Sequence, residues 1–287
     1  MGNISAKTLP GIFFEQVNLL KDRPLLWSKK EGFWEGITWS DAAVQVRKLA
    51  SVLQSYGVKK GDRVLIASEN RPEWAISDLA VMSLGAIVVP AYTSNTEEDN
   101  NYLLTHSQAK LAITSGGNVA SRLCLAADSN KFIKNIILID ADPRNFTVKG
   151  CKILSWNEEI KKVDIDSNFE KSIEKLSDED VCCFIYTSGT GGRPKGVMLT
   201  HKSIFSNILA CSDVIKDVKI EEKVFLSLLP LSHAYEHTCG FHWPIFLGAE
   251  IYYSESTEAV AQNLQDVKPT LMIAVPRLYE VLYSRIV

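Results

Sequence analysis

Short runs of consecutive apolar, mostly β-branched residues recur through this chain and limit what it can become. Val64-Leu65-Ile66-Ala67, Ile87-Val88-Val89, Leu111 to Thr114 and Ile136 to Ile139 lack the polar alternation of a strand with one wet face. Continuous runs of this kind suit strands buried on both faces, as in a parallel sheet. Segments with helical spacing lie between them. Ser40 to Tyr56 reads as an amphipathic helix, capped by Ser40, faced by Val44, Leu49, Val52 and Leu53, and stopped by Gly57. Asn70 and Pro72 open a second helix that runs to about Leu84, with Asn70 as its expected cap. Thr96-Glu97-Glu98-Asp99 opens a third, ending near His106. Strand, helix, strand in repetition predicts an α/β fold: layered, mostly parallel sheets flanked by helices. The second half repeats the style. Strands are expected at Val181 to Tyr186, Val224 to Leu229, Ile251 to Tyr253 and Leu271 to Val275, and helices over 201–216, 234–247, 257–266 and 277–287. The more polar stretch 140–180 carries a turn signal at Asp142-Pro143 and a charged run from Asn157 to Asp166, and is the expected subdomain junction.

Composition narrows the function classes. With 46% hydrophobic and 23% charged residues, the 287-residue chain can bury a sizeable core. A net charge of −3 supplies no positive field for nucleic acid or an anionic membrane. The six cysteines include no C-x-x-C pair, which excludes a zinc ribbon or a thioredoxin-type motif. Adjacent Cys182 and Cys183 read as small apolar residues of a strand, and reduced thiols suit a cytoplasmic location. The most apolar run, Ala80 to Tyr92, holds Gly85 and Pro90 and falls short of the ~20 residues that span a bilayer. The amino terminus reads as neither a signal peptide nor a myristoylation site, since Ala6 stands where that motif needs Ser or Thr.

The chemistry is concentrated after the Val181 strand. Thr187-Ser188-Gly189-Thr190-Gly191-Gly192-Arg193-Pro194-Lys195-Gly196 places three hydroxyls and four glycines around one arginine and one lysine. Glycines let the backbone bring N–H groups close to an anion, hydroxyls add donors, and lysine is a mobile charge for phosphate oxygens. A Walker A loop is excluded, because Pro194 precedes Lys195 and Gly196 follows it. A dinucleotide fingerprint starting at Gly189 fails where Pro194 stands.

Tyr186 to His201 closely resembles the phosphate loop of the adenylate-forming enzymes: acyl-CoA synthetases, peptide-synthetase adenylation domains and luciferases. Tyr56 to Val64, Glu69 to Trp74, Gly85 to Tyr92 and Leu229 to His233 are similar to further segments of that family, and the resemblance covers essentially all of residues 1–287. Val275-Pro276-Arg277-Leu278-Tyr279-Glu280 resembles a segment of the long-chain fatty-acyl members. Many members carry Thr where this chain has Gly191. The resemblance implies an AMP-forming ligation in which a fatty carboxylate attacks the α-phosphate of ATP-Mg2+, and the thiol of coenzyme A then displaces AMP. It implies that Thr187, Ser188, Gly189, Thr190, Gly191 and Lys195 hold phosphates, that Thr187 faces Mg2+, that His233 lies near the acyl and adenylate pockets, and that Lys195 and His233 act in catalysis. Arg277 is equally readable as a buried structural cation.

The resemblance also implies that the adenine-binding and Thr-Glu segments, the ribose aspartate, the hinge and the carboxy-terminal lobe lie outside this sequence. The chain is therefore expected to be a partial AMP-binding domain that binds ATP weakly and forms no acyl-CoA alone. The alternative is a non-catalytic remnant or one half of a split ligase that pairs with a second chain. A lipid substrate makes peripheral contact with the inner face of a membrane an expectation too. One competing motif remains. His233-Ala-Tyr-Glu236-His237 fits H-x-x-E-H, in which helical spacing would let two histidines share a zinc ion with Glu236 as base of a metalloprotease.

Overall fold

Two sheets collect the apolar runs. The computed structural model describes residues 4–187, 192–276, 278 and 280. Ser188, Gly189, Thr190, Gly191 and Arg277 thus lie outside the described residues, and the expected helix over 277–287 is described only at Leu278 and Glu280. The chain opens with α1 (Leu9–Leu20), the hairpin β1 (Pro24–Lys30) and β2 (Phe33–Thr38), then α2 (Trp39–Ser55), β3 (Arg63–Ala67), α3 (Pro72–Ser83), β4 (Ile87–Ala91), α4 (Glu97–Ser107), β5 (Leu111–Thr114), α5 (Gly117–Asp128) and β6 (Asn135–Leu138). It continues through β7 (Lys152–Ser155), α6 (Trp156–Lys162), α7 (Phe169–Glu174), β8 (Val181–Thr187), β9 (Lys195–Thr200), α8 (His201–Val214) and β10 (Val224–Ser227). A π-helical segment (Glu236–His242), α9 (Trp243–Leu247), β11 (Glu250–Tyr253), α10 (Val260–Val267) and β12 (Leu271–Met272) follow.

One sheet has the order β7-β6-β5-β3-β4-β8-β9 and the other β12-β10-β11-β1-β2. Neighbours run parallel except at one edge of each, where β9 is antiparallel to β8 and β2 to β1. The layered, mostly parallel α/β arrangement is therefore as expected. The stretch 140–180 supplies β7, α6 and α7 and links two strands of the seven-stranded sheet, while the chain changes sheets between β2 and β3 and between β9 and β10.

Helix α3 lies between the sheets. Its side chains from Trp74 to Ser83 are buried all round, and its apolar members join residues of both sheets in one continuous core. A helix apolar on every side is stable only when enclosed in this way. The far face of the seven-stranded sheet is covered by α4 and α5 in a second cluster. Cys182 and Cys183 are both buried in β8, as small apolar residues there should be.

Two local expectations need correction. The cap of α2 is Thr38, not Ser40: its hydroxyl accepts from the Asp41 N–H at 3.0 Å while the Asp41 carboxylate reaches back to Thr38. Starting earlier draws Trp39 fully into the core, and Val44 faces solvent at 44% exposure. Asn70 does not cap α3 either. Arg71 occupies that position without a side-chain bond, and Pro72, which has no N–H to satisfy, begins the helix. Trp39 stacks on Phe13 at 5.9 Å between ring centroids. Trp39→Ala should cost about 3–5 kcal/mol of unfolding free energy, read as a lowered denaturant midpoint with an unchanged slope.

Candidate active site

The carboxyl ends of parallel strands leave a crevice, because each chain turns away there into a helix or loop. In this protein the carboxyl ends of both sheets open to the same side. The segments after β3, β4, β10 and β11 line one cleft of about 470 Å³ that includes Asn70, Arg71, Tyr92, Ser232 and Ser254. Tyr92 also lines a second cleft of about 350 Å³, whose wall includes Thr187, Pro194, Asp99, Tyr102 and His233.

The Gly-rich turn is the connection of the β8–β9 hairpin. Thr187 closes β8 and Lys195 opens β9 directly opposite it in the ladder. Tyr186 anchors the hairpin base: it is buried, its hydroxyl lies 2.8 Å from His106 Nδ1, and Gly196 packs so closely over its ring that a Cβ would come within 3.1 Å. Burial pushes the Tyr186 phenol up to about 12, so it stays protonated at neutral pH. On the other side of the turn the Tyr102 hydroxyl donates to the Pro194 carbonyl at 2.7 Å, and Arg193 lies over the Tyr102 ring at 5.4 Å. Gly192 has φ of +136°, backbone that favours glycine. The hairpin therefore stands on α4 by two aromatic anchors, with Thr187 and Pro194 at the cleft.

His233 reaches the same cleft from the other sheet. The segment after β10 is held by Asn70, whose amide donates to the Leu229 carbonyl at 2.7 Å and whose oxygen accepts from the Leu231 N–H at 3.0 Å. This is why Asn70 is not free to cap α3: it ties the carboxyl ends of the two sheets together. Sequence reading missed that role, since nothing local to Asn70 points to residues more than 150 positions away. His233 itself is exposed, and its Nδ1 accepts from the Tyr235 N–H at 3.2 Å. In the neutral ring the proton then sits on Nε2, which makes that atom a donor.

Thr187 and His233 thus share a cleft, which Lys195 does not line; Lys195 is exposed across the ladder from Thr187. Ser188, Gly189, Thr190 and Gly191 lie outside the described residues. The paired histidines of an H-x-x-E-H zinc site do not form. His233 is exposed at the cleft, whereas His237 is fully buried beside Asp78 and Glu236 is fully buried against Ser227. Helix begins only at Ala234, so the two histidines do not sit on one regular helical face.

Burial pushes the Glu236 carboxyl up to about 8, against the opposing hydrogen bond from Ser227. Gly240 makes room for it, since a Cβ there would collide with the Glu236 carboxyl. The folded protein holds this proton at neutral pH, whereas the unfolded chain loses it near 4.5. The stability it contributes is complete below pH 4.5 and is lost as pH rises through 8, at up to ~1.4 kcal/mol per unit. Glu236→Gln should flatten that part of the stability–pH curve in equilibrium unfolding. Asn70→Ala leaves the Leu231 N–H and Leu229 carbonyl without their partner and should cost about 1–3 kcal/mol, seen as a lower melting temperature.

Comparison with known proteins follows the same lines. The family profile described as AMP-binding enzyme matches residues 13–285. Fatty acyl-CoA synthetase A of Dictyostelium discoideum is 31% identical over 277 residues, which cover 94% of this chain and 40% of that protein. A long-chain-fatty-acid–CoA ligase of Homo sapiens is 29% identical over 293 residues, covering 99% of this chain and 43% of that one. This chain therefore spans about two fifths of the length of such relatives. Among solved structures, coronafacic acid ligase of Pectobacterium brasiliense superposes with a TM-score of 0.80 at 18% identity, over 97% of this chain and 52% of that one. The amino-terminal domain of FACL13 from Mycobacterium tuberculosis gives 0.76 at 18% identity, over 96% and 64%.

Proposed function

The chain belongs to the AMP-binding enzyme family, and from that premise we propose that it supplies the phosphate-gripping part of an AMP-forming acyl-CoA ligase acting on long-chain fatty acids. The observation that carries this is the β8–β9 hairpin, which presents Thr187 at a cleft that also receives His233 from the other sheet. The long-chain preference rests on the names of the relatives in Dictyostelium discoideum and Homo sapiens.

The reaction is ATP-dependent activation of a carboxylate. A carboxylate oxygen bonds to the α-phosphorus and pyrophosphate leaves; the sulfur of coenzyme A then bonds to the acyl carbon and AMP leaves. Neither step needs a nucleophile from the protein, so the chain's task is positioning and charge neutralisation. The Thr187 hydroxyl and the turn after it would hold the β- and γ-phosphates at the end of β8. Lys195 would approach the same phosphates as a point charge from across the ladder. His233, with Nδ1 occupied by a backbone N–H, offers Nε2–H to an oxygen of the carboxylate or the phosphate. Mg2+ prefers hard oxygen ligands and keeps several waters, and the Thr187 hydroxyl at the cleft wall fits that donor type. When bound, Mg2+ would neutralise phosphate charge.

Hydrogen exchange of the 287-residue chain with ATP and Mg2+ tests the reading. Amides of β8, β9 and the turn should gain protection, and Thr187→Ala and Lys195→Ala should each weaken the apparent ATP affinity roughly tenfold, about 1.4 kcal/mol. Palmitate added with ATP should extend protection to the segment around His233, and acetate should not. Absence of any ATP-dependent protection in the hairpin at millimolar nucleotide overturns the proposal.

A further inference from the structure

Three side chains outside the ATP cleft face one another in the core. Asp78, on α3, is fully buried, as is His237, and His242 is 2% exposed. His237 Nε2 lies 2.9 Å from Asp78 Oδ1, His242 Nε2 lies 3.3 Å from Asp78 Oδ2, and the two Nε2 atoms are 3.3 Å apart. One ligand atom from each of the three falls within 4.8 Å of the others.

Protons alone do not satisfy this arrangement. If both Nε2 atoms carry hydrogen, two N–H groups crowd one carboxylate with their nitrogens only 3.3 Å apart. If one is bare, its lone pair faces a buried carboxylate. Asp78 Oδ2 is sealed from solvent, and its neighbouring nitrogen, His242 Nε2, stands 3.3 Å away without forming a well-aligned hydrogen bond. His237 Nδ1 also has no partner, so nothing prevents the ring proton from residing there and freeing the Nε2 lone pair. A cation among the three atoms removes the conflicts at both Nε2 atoms and at Asp78 Oδ2. Two imidazole nitrogens at 2.0–2.1 Å from a tetrahedral ion would lie about 3.3 Å apart, which is the observed separation.

The backbone supports the same reading. His237 and His242 are five residues apart, a spacing that in an α-helix turns side chains ~140° away from each other. Residues 236–242 are instead wound as a π-helix, whose hydrogen bonds join i and i+5 and bring such a pair to one side. The winding is uncommon and tends to mark functional positions.

We propose that Asp78, His237 and His242 bind one divalent transition-metal ion of the Zn2+ class. Two imidazoles and a carboxylate suit Zn2+ or Co2+ better than Mg2+ or Ca2+, so this site is chemically distinct from any magnesium at Thr187. The second carboxylate oxygen or a solvent molecule completes the coordination. The ion pins the π-helical segment to α3, four residues beyond His233, and so fixes the wall of the cleft. The edge of the Trp74 ring, at 5.6 Å from His237, and Phe241, at 4.5 Å from His242, enclose the cluster, so the ion enters as the chain folds.

The test is to refold the 287-residue chain with Zn2+ or Co2+, dialyse it against metal-free buffer and measure bound metal. One equivalent should remain, with visible d–d absorption of four-coordinate Co2+, an X-ray absorption shell of nitrogen and oxygen only, and a melting temperature raised by roughly 5–10 °C over the metal-free chain. Asp78→Asn and His242→Gln should lose the metal; should either fail to fold, the ligand shell and melting shift of the unaltered chain decide. A chain that retains no stoichiometric metal after refolding with it overturns the proposal, as does metal held through sulfur or kept by both variants. ATP protection of the β8–β9 hairpin is read separately, so failure of one proposal does not touch the other.

Discussion

A helix buried on every side is the constraint from which the rest follows. Helix α3 has no wet face, so both sheets must close over it, and one apolar core then runs from the seven-stranded sheet through α3 to the five-stranded one. That closure sets the carboxyl ends of the two sheets side by side. It also places a carboxylate, Asp78, where water cannot reach it. Burial alone would push that carboxyl up; the imidazoles of His237 and His242 beside it more than reverse this and hold it near 2. The same burial pushes His242 down to about 4, so at neutral pH that ring carries a lone pair rather than a second proton. Removing one member of such a group leaves the others uncompensated in a low-dielectric interior, a far larger penalty than the group's net contribution.

The cleft is a consequence of how the two sheets are joined. Asn70 leaves the end of β3 and bonds the backbone on either side of Pro230, which brings His233 toward Thr187. The hairpin that bears Thr187 is held independently, by Tyr186 from below and Tyr102 from the side. Thr187 and His233, carried by different sheets, can be set at different separations by small changes at one hydrogen-bonded junction. Such an arrangement suits a reaction whose catalysis is mostly positioning.

Much of this could be read along the chain. The parallel strands are visible as continuous apolar runs because a strand covered on both faces needs no polar alternation. Cys182 and Cys183 are legible as strand residues for the same reason. Thr96 and Asp99 announce the start of α4, because a capping box is a local hydrogen-bonded unit. Elements set by distant partners were harder to see. The hairpin β1–β2 finds its place through parallel pairing of β1 with β11, some 225 residues away, and β7 is a short edge strand defined by its contact with β6. The start of α2 carries the same local signal, a Thr38–Asp41 capping box, which Ser40 taken alone as the cap overlooks.

The sequence by itself determined the fold class and the place of the glycine-rich turn, because both are written in local spacing: apolar runs, and hydroxyls and glycines around Lys195 after a strand; the family was legible through the resemblance of that turn. Tertiary structure alone decided what the histidines do. Helical spacing of four pairs His233 with His237, yet the backbone is still entering helix at Ala234 and is wound as a π-helix, with hydrogen bonds spanning five residues, from Glu236 onward. That change of winding sends His233 to the cleft and joins His237 to His242 beside Asp78. A one-residue difference in helical register depends on the packing of α3 against this segment, and no periodicity in the residues between them records it.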